Sequence, residues 1–232
     1  NPDGASIIYN KQAAVLQKLQ SLKTIQRIGY VGMGSYTPSL EDMAGWDNTM
    51  DSNSNVDFVW ENTSLSPQAQ ITEVLEHVLH TITTFGLPGA YPTVFNQTSP
   101  SGPTYAAMSE AINNGVFDTS GYSQQPGETL DEFRALLMRE YLYLLIYAEW
   151  NFITTYVSGG TLSPEWTADT PSLVASTNPL GHALYTDYIS KLLVTPSTTI
   201  LNTIFLTSAT PSGYVPFEID PSGGNVDCLS RI

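Results

Sequence analysis

The chain has 232 residues, 41% of them hydrophobic, and carries 22 acidic side chains against 8 Lys and Arg, for a formal net charge of −14. This length and apolar content fit a globular domain with a sizeable core and argue against a wholly disordered chain. The charge disfavours nucleic-acid and membrane-surface binding. Between Arg27 and Arg134 there is no Lys or Arg while thirteen acids occur, a block that repels phosphate and attracts metal cations.

Cys228 is the single cysteine, which excludes an internal disulfide and a Cys-rich zinc site. A chain that starts at Asn1 and is rich in Ser, Thr and Asn but poor in Lys reads as secreted or extracellular. The longest apolar run, Tyr141 to Val157, includes Glu149, Asn151, Thr154 and Thr155, so it is expected to be a buried core helix and not a membrane span.

In chain order, residues 1–9 lack periodicity. From Asn10, apolar residues at Ala14, Leu16, Leu19, Leu22 and Ile25 predict an amphipathic first helix capped by Asn10, whose basic residues are expected to face acidic surface. Gly29, Gly32 and Gly34 predict a turn; their spacing and the following Tyr-Thr-Pro do not make a phosphate-binding loop. Residues 35–65 read as a long polar connection. Within it Asp51, Asn53, Asn55 and Asp57 place an oxygen side chain at every second position, as a loop wrapping Ca²⁺ does. Val56 and Asn62 stand where an EF-hand loop would have its Gly and bidentate Glu. Asn62 and Asn96 head glycosylation sequons.

The stretch 66–85 predicts a helix with Ser66 as N-cap and Pro67 in the first turn, ended by Gly86 and Pro88. A short helix follows over 102–114, stopped by Asn-Asn-Gly. The longest helical signal covers 126–157 and is apolar on all sides through its C-terminal two thirds. Further helices are expected over 179–193 and 196–206, and a Pro- and Gly-rich tail from 207. There is no repeat and no convincing strand series. The expected fold is mainly α, a single globular domain (1–206) around a long buried central helix, with long loops and an extended C-terminal tail (207–232).

The chemistry concentrates on the helix of residues 66–85. Glu73, Glu76, His77 and His80 fall at i, i+3, i+4 and i+7, on one stripe about 100° wide. Ile71, Val74, Leu75, Val78, Leu79, Ile82 and Phe85 take the opposite arc, so the stripe is also where an amphipathic helix puts its solvent face. The stripe has no Lys or Arg, which an exposed face would usually include. Glu76-His77-x-x-His80 resembles the HExxH helix of zincin metallopeptidases with its first two residues exchanged. The resemblance implies a zinc ion held by histidines and a glutamate, here Glu76, acting as general base.

Read from the residues, His77 and His80 are the first metal ligands, and Glu73 or Glu76 is a third ligand or a base. Glu140 or Glu149 from the central helix completes the site; nine residues apart, they face opposite ways and cannot both reach it. His182 is the remaining nitrogen candidate, and no Ser or Cys nucleophile motif competes. Two readings follow. One is an exported acidic domain binding zinc or another transition metal, with a zinc-dependent hydrolase as its enzymatic version. The other is a non-enzymatic extracellular structural or assembly protein, stabilised by calcium and self-associating through its terminal segments.

Overall fold

The computed structural model describes residues 2–31, 56–62 and 66–206. Its architecture is mainly helical. Helix α1 (Pro2–Ser21) begins well before Asn10, with proline at a position where an amide N–H would go unpaired anyway. It stops before Ile25 because Lys23 turns into the left-handed region (φ 49°), and the amides of Leu22 and Thr24 close back onto Lys18 and Leu19. The next residues are extended. Strand β1 (Ile25–Val31) pairs in parallel with β2 (Val56–Asn62), in a register that sets Ile25 opposite Val56 and Val31 opposite Asn62.

This pair corrects two expectations. Gly29 sits in a strand opposite Trp60 and not in a turn, and Asp57 sits in a strand opposite Gln26 and not in an irregular loop. Both segments are short and rich in β-branched and aromatic residues, and parallel partners far apart in sequence carry no hairpin signal. Gly32, Gly34, Asp51, Asn53 and Asn55 lie outside the described residues, as does the tail from 207.

Helix α2 (Pro67–Thr81) starts as its sequence predicts: the Ser66 hydroxyl accepts the Ala69 amide, and Pro67 opens the first turn. Such a cap is worth about 1 kcal/mol. Gly86 and Pro88 do not end it. The chain widens into a π-turn over Ile82–Gly86 and continues as α3 (Leu87–Ala90). The wider turn lets the Leu87 amide bond back to Ile82, and Pro88, which has no amide hydrogen, enters the early turn of α3. The glycines serve packing. A Cβ on Gly89 would come 2.5 Å from Lys18 Cβ and 2.6 Å from the Ala14 carbonyl, so α1 can cross α3 only over bare backbone. The Lys11 ammonium donates to the Ala90 carbonyl at 2.6 Å and lies over the Tyr91 ring, so this α1 charge meets the C-terminal end of α3 and not an acidic surface.

Helix α4 (Pro103–Asn113) ends at Asn114-Gly115, with Gly115 at φ 67°, as expected. Helix α5 (Leu130–Glu149) is the buried centre. Thr129 and Glu132 form a reciprocal capping box, which sets its start at Leu130, four residues beyond Pro126. Met138 and every residue from Glu140 to Ala148 are buried. The helix breaks at Asn151, in the left-handed region at φ 59°, and resumes as α6 (Phe152–Tyr156). Helices α7 (Pro171–Thr177), α8 (Pro179–Leu184, extended by a π-turn to Ile189) and α9 (Thr198–Phe205) close the remaining sides.

Between α7 and α8, Asn178 is fully buried and fully engaged. Its side-chain oxygen accepts the Tyr141 hydroxyl at 2.8 Å, and its amide donates to the Ala107 carbonyl at 2.9 Å and to Glu110 at 2.8 Å. This network ties α4, α5 and α8 together, and Gly181 leaves the room it needs. None of the described helices is long and apolar enough to cross a membrane.

Candidate metal centre

Helix α2 lies against α5, and of the polar stripe that would otherwise face water the contact buries His80 while Glu73 and His77 stay partly exposed. Its apolar arc is buried at Ile71, Leu75 and Leu79, and His80 on the other arc is buried as well, only 4% exposed. Glu76 and His80, one turn apart on α2, converge with Glu140 from α5: one donor atom from each lies within 4.8 Å of the others. This buried Glu-His-Glu group could hold a metal ion, and its donor chemistry, one imidazole with two carboxylates, suits a divalent transition metal.

The geometry within the group is uneven. Glu140 Oε1 accepts the Arg139 guanidinium at 3.1 and 3.3 Å, which turns Oε2 toward His80. His80 Nε2 lies 3.1 Å from that Oε2, an ion-pair distance, but with no partner at hydrogen-bond angles. It is therefore a buried nitrogen aimed among carboxylates without a proper hydrogen bond. Its ring is fixed edge-on against Tyr143, centroids 5.7 Å apart, and against His77 at 5.6 Å.

The electrostatics separate the two carboxylates. Burial pushes Glu76 up from 4.5 to about 7, and the nearby Glu140 charge adds to it. Burial acts upward on Glu140 too, but His80 and Arg139 together outweigh it and hold its carboxyl below the ordinary value. The Tyr143 hydroxyl is driven well above 10, by burial first and then by Glu76. An ion between Glu76 and Glu140 would relieve this repulsion.

The other candidates fall elsewhere. His77 pairs with Glu73 at 3.3 Å on the more open part of the stripe, and the His77 hydrogen bond holds Glu73 below its ordinary value despite partial burial. Glu149 faces away from the group, as its spacing from Glu140 requires. It pairs with His182 Nδ1 at 2.8 Å; burial raises its carboxyl and the imidazole offsets part of that rise. Of the calcium candidates, Asp51, Asn53 and Asn55 lie outside the described residues, and Asp57 is in β2.

Three residues near the group escape the sequence. Arg139 was legible in principle, as a rare base beside a candidate ligand. Tyr122 and Glu165 come from loops without periodicity. The Tyr122 hydroxyl donates to Glu165 Oε1, and both residues line a cleft of about 400 Å³ with Asp118, Ser120, Gly121 and Pro164. Glu165 adds to the upward pressure on both Glu76 and Tyr143. No protein-family model, curated protein or solved structure matches the chain.

Proposed function

We propose that the chain is an exported, acidic metal-binding protein in which Glu76, His80 and Glu140 hold one divalent transition-metal ion, zinc being the first choice, and that the ion serves a hydrolase. The observation that carries this reading is His80 Nε2, buried, without a proper hydrogen bond and directed at Glu140. A buried nitrogen in that state costs free energy unless something binds it. A cation would satisfy the nitrogen and neutralise the two carboxylates together. Arg139 supports the site from behind by orienting Glu140, as outer partners of metal ligands do.

The hydrolase part rests on ligand number. Closed structural zinc sites use four protein donors, whereas catalytic ones use three and leave a position for water. Zinc titration into chelator-treated protein tests the reading. We expect one ion per chain, loss of that ion in His80→Ala, and an affinity lowered roughly 10- to 100-fold in Arg139→Ala. His77→Ala should bind like the unaltered protein, since His77 pairs with Glu73; equal loss in the two histidine variants would support the zincin-like ligand pair instead. Protein that takes up neither Zn²⁺, Fe²⁺ nor Mn²⁺ would end the proposal.

A further inference from the structure

A cavity of about 560 Å³ opens where the first turns of α2 meet the chain leaving α6, a size suited to a small molecule. Among the described residues Glu73 is its only charged lining side chain, and the rest of the wall is hydroxyl-bearing, amide or apolar. We propose that this cavity binds a primary ammonium group carrying a small apolar body, with Glu73 accepting the ammonium and Tyr156, Val157 and Leu162 enclosing the body. The inference stands apart from the metal reading, because none of Glu76, His80 and Glu140 lines the cavity.

The walls are fixed from both sides. On α2 the Thr72 hydroxyl lies 3.0 Å from the Tyr147 hydroxyl of the buried helix α5, and the Ser66 hydroxyl holds the Ala69 amide at 3.2 Å. Opposite, Tyr156 is buried; its hydroxyl donates to Asn202 at 3.2 Å and its ring stands edge-on to Phe152, centroids 5.2 Å apart. Gly159 and Gly160, at φ 79° and 71°, turn the chain in a conformation that side chains resist, and Leu162 follows them into the wall. Leu162 is pinned in turn: its amide donates to Asp169 at 3.3 Å and its carbonyl accepts the Trp166 amide at 3.3 Å. Such a cavity is preformed, so a ligand enters it without the cost of ordering its walls.

The lining selects the ligand. Glu73 meets His77 through Oε1 at 3.3 Å, and its side chain is 34% exposed, so the carboxylate stays open to a donor in the cavity. With no Lys or Arg in the lining and a net charge of −14, carboxylates and phosphates are disfavoured. An ammonium brings three N–H donors and no acceptor. Glu73 and the neighbouring Thr72 hydroxyl can receive two of them, and water the third. The apolar remainder then lies against Tyr156, Val157 and Leu162, which removes its surface from water.

The test titrates isoamylamine into the full chain in EDTA at neutral pH, followed by calorimetry. We expect one site per chain, no binding of isovalerate and at least tenfold weaker binding of isoamyl alcohol. Glu73→Gln should lower the amine affinity at least tenfold. Asp187→Asn, which removes the same charge from the exposed surface outside the cavity, should leave it within twofold. Leu162→Ala should weaken the amine severalfold, and His80→Ala should bind it like the unaltered protein, so that loss of the metal site and loss of this one are read separately. Leucine amide and a peptide that begins with leucine separate the two sources of this chemistry: tighter binding of the peptide assigns a peptide's amino terminus, and equal or weaker binding a free amine. No binding of isoamylamine, equal binding of isoamyl alcohol, or equal losses in Glu73→Gln and Asp187→Asn overturns the proposal.

Discussion

Replacing Glu76 by Gln should stabilise the metal-free protein at high pH and abolish its stabilisation by zinc. The carboxyl is raised from 4.5 to about 7 in the folded chain, chiefly by burial and then by Glu140. At about 1.36 kcal/mol per pH unit this corresponds to about 3 kcal/mol. The sign follows from proton uptake. Between pH 4.5 and about 7 the folded state holds a proton that the unfolded state has released, so stability falls as pH rises through this window. Below it the folded protein carries no penalty, and above it the penalty is complete.

Urea unfolding in EDTA at pH 5 and pH 8 reads the difference. The unaltered protein should lose about 2 to 3 kcal/mol more over this interval than Glu76→Gln, because comparing the two removes every other titrating group to first order. Zinc at about 100 times its Kd should then return about 2.7 kcal/mol to the unaltered protein at pH 8 and little to the variant. Parallel pH dependence of the two proteins in EDTA would refute the buried, charge-crowded state of Glu76.

Two further substitutions probe the frame that holds the site. Gly89→Ala places a methyl 2.6 Å from the Ala14 carbonyl, which cannot move without α1; a loss of about 1 to 3 kcal/mol is expected in urea unfolding, and an unchanged midpoint would mean that the α1 and α3 crossing is looser than its geometry. Tyr141→Phe keeps the shape of the core but deprives the buried Asn178 oxygen of its donor, for an expected loss of about 1 to 3 kcal/mol in the same assay; a loss under about 0.5 kcal/mol would show that the oxygen finds another partner.

Where local chemistry decides an element, the sequence is a sufficient guide. Ser66-Pro67 starts α2, and Asn114-Gly115 ends α4, because a cap or a left-handed residue acts within a few positions. Gly86 misleads, because its value lies in what α1 brings against it, and that partner is more than sixty residues away in sequence. The strand pair is hidden for a related reason: each segment is short and its partner lies beyond a long connection. At the site, His80, Glu76 and Glu140 could be named from helical spacing, whereas Tyr122 and Glu165 could not, since their loop positions follow from pinning by Phe117 and Trp166.

What spacing could not decide was whether the polar stripe of α2 meets water. That is decided by α5, which is apolar nearly all round and must be enclosed, so that its two carboxylates, Glu140 and Glu149, are buried on opposite sides. Each meets one imidazole, and the two meetings differ. Glu149 and His182 form a close hydrogen bond at 2.8 Å with the imidazole partly in water, which leaves little further chemistry to satisfy. Glu140 and His80 approach at 3.1 Å without hydrogen-bond geometry, both are buried, and a further carboxylate, Glu76, crowds them. If stability alone had shaped both pairs, the second would be expected to close like the first, because a buried nitrogen and a buried carboxylate crowded by a half-buried one are costly without full partners. A cation among the three side chains would satisfy the nitrogen and both carboxylates together, and that difference between two chemically similar pairs on one helix is the strongest physical argument for the proposal that the α2 stripe is a binding site.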